Sequence, residues 1–387
     1  MSGRRQIFFS YGFRPFFLLN GLFAVAAMLL WILMLHGGWP SGPKNSTLWH
    51  AHEMLVGFAM ATIAGFLLTA IPSWTARPPL KGRALAWLVI AWLAGRIAMA
   101  ASGALPAWLV APVDLAFPLL LFLFVLQEAV AAGNRRTYPV VAITAMLAIL
   151  NLLYHLGASG RLPNADRTAL YVMMHVVLLL ITVIGGRVLP NFTANWLRGR
   201  RLDRVPANNK AVDRLTITAT VLAGLAASIA PLNSVTVVLA SSAAILHAVR
   251  LSQWRGLATR PEPLLFMLHV AYAWLPVGYM LTALAALGWF FPPTAALHAL
   301  TMGAIGSMIL AMITRVPLGH TGRPLHASRM TVIAYVVITV AVAIRVLSPL
   351  SGGAYLTLID LSAAGWITAF AIYSRIYWPI LTGPRAD

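Results

Sequence analysis

Residues 49–71 read "WHAHEMLVGFAMATIAGFLLTAI". From Met54 onward the run is apolar and about as long as a helix needs to cross the hydrocarbon core of a bilayer, which takes roughly 20 residues. Two imidazoles, His50 and His52, and the carboxylate of Glu53 stand at its head. Inside or beside such a segment, ionisable groups are costly unless something binds them. The stretch therefore announces a membrane span and raises the question of what its polar head is for.

Outward from that stretch the same signal recurs. The chain of 387 residues is 60% hydrophobic and only 10% charged, where a soluble domain is about a quarter charged. Apolar runs of about 20 residues begin near residues 16, 50, 84, 107, 139, 168, 213, 233, 263, 294, 328 and 354. This predicts an all-α integral membrane protein with twelve transmembrane helices in a single membrane domain, residues 1–387. The longest interruption is read as residues 191–212, a basic loop lying on the cytoplasmic surface. Cysteine is absent, which excludes disulfides, iron–sulfur clusters, thiolate ligands and covalent c-type haem. The basic, aromatic start lacks the pattern of a cleavable signal peptide.

The net charge of +19 would suggest a nucleic-acid partner on a soluble fold, but its placement says otherwise. Lys and Arg alternate between connections. One side carries Arg4, Arg5, Arg14, Arg77, Lys81, Arg83, Arg135, Arg136, Arg198, Arg200, Arg201, Arg204, Lys210, Arg250, Arg255, Arg260, Arg323, Arg329, Arg375 and Arg385; the other has Lys44, Arg161 and Arg167. This is the positive-inside bias, and it predicts cytoplasmic N- and C-termini. The partner it implies is membrane lipid, with no nucleic acid.

Spans 2 and 10 resemble one another. With His52 placed on His298, identities recur without gaps: Gly57 on Gly303, Ile63 on Ile309, Thr75 on Thr321, Arg77 on Arg323, Pro78 on Pro324 and Arg83 on Arg329. Span 6 gives a weaker third copy, with His175 near its outer end and "LPNFTAN" past its inner end. The distance from His to Thr is 23 residues in spans 2 and 10 and 18 in span 6. The pattern suggests three four-helix units, about 1–138, 139–260 and 261–387, against the alternative of chance similarity among small apolar helices.

Six histidines fall toward the outer face: His36, His50, His52, His155, His175 and His298. His247, His269, His320 and His326 fall toward the cytoplasm. Matched depth on spans 2, 6 and 10 lets His52, His175 and His298 converge, as haem iron or copper requires of imidazole ligands. The bland reading of each is a hydrogen bond to a nearby carbonyl. On a regular helix His50 and His52 point about 200° apart, whereas His50 and Glu53 share a face. Glu53 can then orient a ligand imidazole or favour a helix start. Arg96, inside span 3, and Arg345, near the outer end of span 11, need anionic partners. Haem propionates would serve, and so would Asp114, Glu53 or Asp360. Tyr171 with His175 and His298 with Met302 are i,i+4 pairs that can add a donor or simply pack. The inner motifs "PSWTARP", "PNFTAN" and "PLGHTGRP" read as helix ends, with an anion site as the alternative.

The blocks "GFRPFFLLNGLFA" (12–24), "WHAHEMLVGFAMATIAGFLLTAIPSWT" (49–75), "GRVLPNFTAN" (186–195) and "HALTMGAIGSMILAMITRVPLGHTGRPL" (298–325) together resemble the NnrS family. The resemblance implies a twelve-span bacterial inner-membrane protein containing haem b and copper. It also implies a link to nitric oxide, nitrosative stress and denitrification. The arrangement is similar to subunit I of the haem–copper oxidases, whose twelve helices carry ligating histidines on helices 2, 6, 7 and 10. Span 7 here has none, which argues against a complete oxidase-like dinuclear centre. One departure is Ala76, where the family motif leads us to expect glycine.

These readings assign His52 and His298 as haem axial ligands, His175 and His50 as copper ligands, and Arg96 and Arg345 as propionate partners. Nitric oxide or a related small nitrogen oxide would meet the metals in the outer half of the membrane, with a haem–copper oxidoreductase as one form of the activity. The competing expectation is a secondary transporter or metal or haem exporter that uses the same histidines, which discontinuous helices at mid-depth would favour.

Overall fold

The computed structural model describes residues 2–39, 42–133, 137–202, 205–207 and 209–386. Arg135, Arg136 and Arg204, three of the cations counted above, lie outside the described residues. Among the described residues twelve helices are long and apolar enough to cross a membrane. They are α1 (Phe13–Leu35), α2 (Ser46–Thr75), α3 (Gly82–Ala100), α4 (Ala107–Ala132), α5 (Tyr138–Ala158) and α6 (Ala165–Gly199). Then follow α7 (Lys210–Ile229), α8 (Ser234–Gln253), α9 (Pro263–Ala286), α10 (Pro293–His320), α11 (Arg329–Leu350) and α12 (Gly352–Thr382). Among the described residues there is no strand.

Helices are what lipid demands, because backbone groups there must be satisfied within the chain. The hydroxyls obey the same rule. Thr69, Thr182, Thr220 and Thr314 donate to the carbonyls of Gly65, Leu178, Thr216 and Leu310, one turn back. Asn45, Asn209, Asn233 and Ser328 cap helix starts through their side-chain oxygens. Large apolar side chains such as Ile97, Trp108, Ile229 and Leu232 face outward, as they should toward acyl chains.

The three helices singled out for their histidines are the most buried: 78% of the apolar window of α2, 78% of α10 and 67% of α6 lie inside the protein. Contacts divide the chain into two compact units. One comprises residues 1–173, 320–323 and 374–387, and the other 174–319 and 324–373. In the first, Arg14 at the start of α1 donates to the carbonyls of Leu381 (3.0 Å) and Gly383 (2.8 Å) beyond the end of α12. The beginning of the first span and the end of the last therefore share one face.

Two features depart from the sequence reading. The stretch 191–212 is not one long loop. Helix α6 continues to Gly199, carrying "NFTAN" on helical backbone with Pro190 inside it. Proline there removes one backbone donor, and the turn that follows is held by Thr193, which donates to Leu189 (2.9 Å) and accepts from His269 Nε2 (2.9 Å). Secondly, α2 and α10 are not α-helical throughout. Each changes to π-helix in the residue after its histidine, over Glu53–Ala59 and Ala299–Gly306. Such π segments are frequent at functional sites.

Past the inner end of α2, Ala76 adopts left-handed backbone (φ 56°), and Gly322 does so at the matching place after α10 (φ 71°). Left-handed backbone disfavours any side chain with a Cβ, which explains the expectation of glycine at position 76. Replacing Ala76 with Gly should stabilise the protein by about 1 kcal/mol, read as a higher thermal midpoint of the detergent-solubilised protein. An unchanged or lower midpoint would contradict the strain argument.

Candidate metal centre

Four helices of the first unit converge on one buried polar cluster. Helix α2 brings His52 and Glu53, α3 brings Arg96, α4 brings Asp114, and α5 brings Asn151, Tyr154 and His155. His52, Glu53, Asp114 and Asn151 are fully buried, and Arg96 and His155 nearly so. Two glycines make room. A Cβ on Gly57 would fall 2.4 Å from the Phe23 ring and 3.0 Å from Arg96, and one on Gly95 would fall 3.1 Å from the Asp114 carboxylate. The carbonyl of Gly57 also accepts a hydrogen bond from Trp92 Nε1 (2.9 Å). The backbones of α2 and α3 are thereby fixed beside the charges.

The contacts form a closed network. His52 Nδ1 lies 2.9 Å from Glu53 Oε1, and its Nε2 lies 2.9 Å from Asn151 Oδ1 and 3.2 Å from Asp114 Oδ2. Asn151 Nδ2 donates to Asp114 Oδ2 (2.8 Å), and His155 Nε2 reaches the same oxygen (2.8 Å). Arg96 joins the carboxylates, with Nη1 on Glu53 Oε1 (2.6 Å) and Nη2 on Asp114 Oδ1. The Tyr154 ring packs on His52, with centroids 4.3 Å apart.

Donor and acceptor roles follow from these partners. The amide nitrogen of Asn151 points at Asp114, so its oxygen faces His52. Both nitrogens of His52 then face acceptors only, and both carry protons. The ring is an imidazolium. Two negative groups, Glu53 and Asp114, are thus matched by two positive ones, Arg96 and His52, and His155 Nε2 donates to Asp114. Buried charges survive in a membrane only when paired in this way. Two atoms stay without a hydrogen-bond partner, the acceptor Glu53 Oε2 and the donor group at Arg96 Nε.

The cluster also has the composition of a metal site. One ligand atom from each of His52, Asp114 and His155 lies within 4.8 Å of the others. Imidazole and carboxylate suit copper, iron and zinc, and the first unit's remaining groups already orient them.

The sequence reading placed these groups unevenly. Glu53 was paired with the face of His50. In the structure it joins His52, through the same carboxylate oxygen that accepts from Arg96. His50 instead stacks on Trp31, with centroids 4.4 Å apart. Of the two readings of Arg96, its contacts here follow internal pairing with Glu53 and Asp114. His155 and Asn151 were not singled out as site residues, although their i,i+4 spacing on a span just beyond Asp114 was a usable signal.

The remaining predicted residues belong to the second unit. His298 is half-buried, with Nδ1 on the Thr294 carbonyl (2.8 Å). Arg345 is buried, with Nη1 on Ser348 Oγ (3.0 Å). His175 is buried, and its Nδ1 has no hydrogen-bond partner. Its ring faces Tyr279, with centroids 6.3 Å apart. Thus His52 and His298 fall in different units, as do His50 and His175.

The family model described as NnrS protein matches residues 7–385. That is nearly the whole chain, and the chain belongs to this family. No individually curated protein matches it.

Charge balance makes Arg96 the most sensitive position of the cluster. Arg96→Met should cost about 3–5 kcal/mol, the usual penalty for leaving a buried charge unmatched, seen as a large fall in thermal midpoint or loss of folded protein. Adding Glu53→Gln removes one of the two stranded carboxylates and should recover part of the loss. A double variant no more stable than Arg96→Met would contradict the balance.

Proposed function

We propose that this member of the NnrS family is a metal-binding protein of the bacterial inner membrane that acts in the response to nitric oxide. The first unit would hold one metal ion through His52, Asp114 and His155. The observation that carries the reading is the approach of those three ligand atoms to within 4.8 Å in a fully buried, oriented cluster.

A single ion fits these residues. Its ligands are already grouped, and the other partners are those that metal-ligating groups characteristically have. Glu53 holds Nδ1 of His52 and so directs Nε2 toward Asp114 and His155. Arg96 holds the outer oxygen of Asp114 and the inner oxygen of Glu53. A bound cation supplies positive charge where the His52 proton supplies it otherwise. Copper, the metal the family resemblance implies, would add redox chemistry and affinity for nitric oxide.

A haem fits His52 less well. Both ring nitrogens are engaged and the side chain is fully buried, so a macrocycle would have to displace Asn151 and Asp114. His298 suits haem b better. Its proton sits on Nδ1, donated to a backbone carbonyl, which is the tautomer of an imidazole that ligates through Nε2. Arg345, buried one span further on, is a suitable propionate partner. Both termini would be cytoplasmic, following the Lys and Arg bias, and nitric oxide or a related nitrogen oxide would enter from the lipid at the outer half.

The exporter reading receives less support, since each of the twelve spans is continuous helix, α or π, among the described residues.

Metal and haem analysis of the purified protein tests the assignment. Asp114→Asn and His155→Gln, which keep shape and hydrogen bonding, should each lower bound metal by close to one equivalent, and His298→Gln should lower haem. Full retention in all three variants would sink the ligand assignment. Demonstrated metal flux in proteoliposomes without a stoichiometric cofactor would favour the exporter.

A further inference from the structure

In the first unit, the start of α1, the turn after α10 and the end of α12 meet on a group of cations. Arg14, on the first turn of α1, is only 5% exposed. Its Nη1 donates to the carbonyls of Leu381 (3.0 Å) and Gly383 (2.8 Å), where α12 ends and a short strap follows. Arg323, in the turn after α10, reaches the next carbonyl of that strap, Pro384, with Nη1 and Nη2 both at 3.4 Å. Gly383 and Pro384 are adjacent, so the two guanidiniums stand within roughly 11 Å of each other. Arg385 belongs to the same strap. The Ala386 N–H donates to the Thr321 carbonyl (2.8 Å), and a Cβ on Gly322 would fall 3.2 Å from Arg385 Nε. Three guanidiniums are thereby gathered on residues 381–386. The His320 ring faces that of Phe13, with centroids 5.5 Å apart. Arg323 opposes the charge of Arg14, and Arg385 that of His320 when it is protonated.

Two other buried arginines are matched by carboxylates: Arg96 by Glu53 and Asp114, and Arg250 by Asp213. The half-buried Arg77 shows how such a match is made. Its Nε (2.6 Å) and Nη2 (3.3 Å) grip the two oxygens of Glu128 as a fork. In Arg14 the corresponding edge is open. Nη1 is spent on the strap, while Nε is buried without a hydrogen-bond partner. Among the described residues Arg14, Arg323 and Arg385 form no ion pair. Asp387, next along the chain, lies outside the described residues. Like charges this close, at the edge of a low-dielectric bilayer, are unfavourable until an anion joins them.

We propose that Arg14, Arg323 and Arg385 form a binding site for a phosphate group, with the Nε–Nη2 edge of Arg14 as its buried end. Guanidinium forks take phosphate oxygens two at a time, and the several oxygens of one phosphate can answer more than one arginine. The level of the site fits this ligand. Tyr11 and Trp378 stand exposed at the ends of α1 and α12, and such aromatics mark the headgroup layer of a bilayer. The headgroup of an anionic phospholipid and free phosphate share this chemistry. Bound here, either would pin the two terminal spans to the turn after α10. The motif "PLGHTGRP" then keeps both of its readings, a helix end and an anion site. None of the residues of the cluster around His52 is used, so the inference stands apart from the metal reading.

The test uses full-length protein, delipidated in detergent, with bound phosphorus and the thermal midpoint as readouts. Phosphatidylglycerol and inorganic phosphate are added separately. Diacylglycerol, which lacks the phosphate, and chloride at equal ionic strength are the controls. A midpoint raised by phosphatidylglycerol alone identifies a lipid headgroup as the ligand; one raised by inorganic phosphate shows that soluble phosphate suffices. Arg14→Gln should weaken binding about tenfold or more, and Arg323→Gln and Arg385→Gln should each weaken it severalfold. Those two side chains reach water, so their variants carry the test if Arg14→Gln does not fold. Arg83→Gln, which removes an exposed cation from another turn, should bind as the unaltered protein does. No midpoint change with either phosphate source, or an equal loss in Arg83→Gln and Arg323→Gln, would overturn the site.

Discussion

The pairing of Arg96 with Glu53 and Asp114 is the constraint on which the first unit is built. Three helices contribute charges to a buried space, so each must find its complement at hydrogen-bond distance. That requirement sets more than the side chains. Gly95 brings α3 and α4 close enough for the guanidinium to reach Asp114, and Gly57 lets α2 come against Arg96 and Phe23. Two consecutive residues of α2, His52 and Glu53, serve one cluster, and a π-helical stretch follows His52. Function and fold are therefore one problem here: the groups that could hold a metal are the groups that hold the helices.

The same backbone plan carries different chemistry elsewhere in the chain. Helix α10 repeats the change to π-helix after His298, yet Ala299 stands where Glu53 would be. Helix α6 keeps its histidine but stays α-helical and replaces the neighbouring carboxylate with valine. Helix geometry sets α6 apart from α2 and α10, and the neighbouring carboxylate sets α2 apart from both. A protonated, fully satisfied ring sits in the first unit, and a ring with an unsatisfied nitrogen sits at His175 in the second.

The fold was legible because lipid simplifies the code. Twelve apolar runs yield the twelve long helices of the described residues, and caps such as Asn45 and Ser328 mark where some of them begin. The misreading at residues 191–199 came from treating polarity as a loop signal, when "NFTAN" lies at the helix end facing water and is held there by Thr193 and His269. The site was half legible. His52, Arg96 and Asp114 could be suspected one by one, since each is an ionisable group in a span. Their meeting with Asn151 and His155 depends on how α4 and α5 pack, which hydropathy does not encode. Glu53 meets His52 through the carboxylate oxygen that Arg96, on the neighbouring helix, also takes, a contact that no period along one helix encodes.

Position also explains why Tyr154 and Tyr279 escaped notice. A tyrosine in a span is unremarkable, since its ring packs and its hydroxyl usually finds a carbonyl. What sets these two apart is the histidine each one faces, and that is visible only across helices rather than along one. Tyr154 stacks on an imidazolium, where a π face stabilises the charge. Tyr279 also stacks on His247, a ring whose two nitrogens are both hydrogen-bonded elsewhere, and its own hydroxyl has no partner. The same residue type thus faces a ring held among Glu53, Arg96 and Asp114 in the first unit and leaves its hydroxyl unanswered in the second.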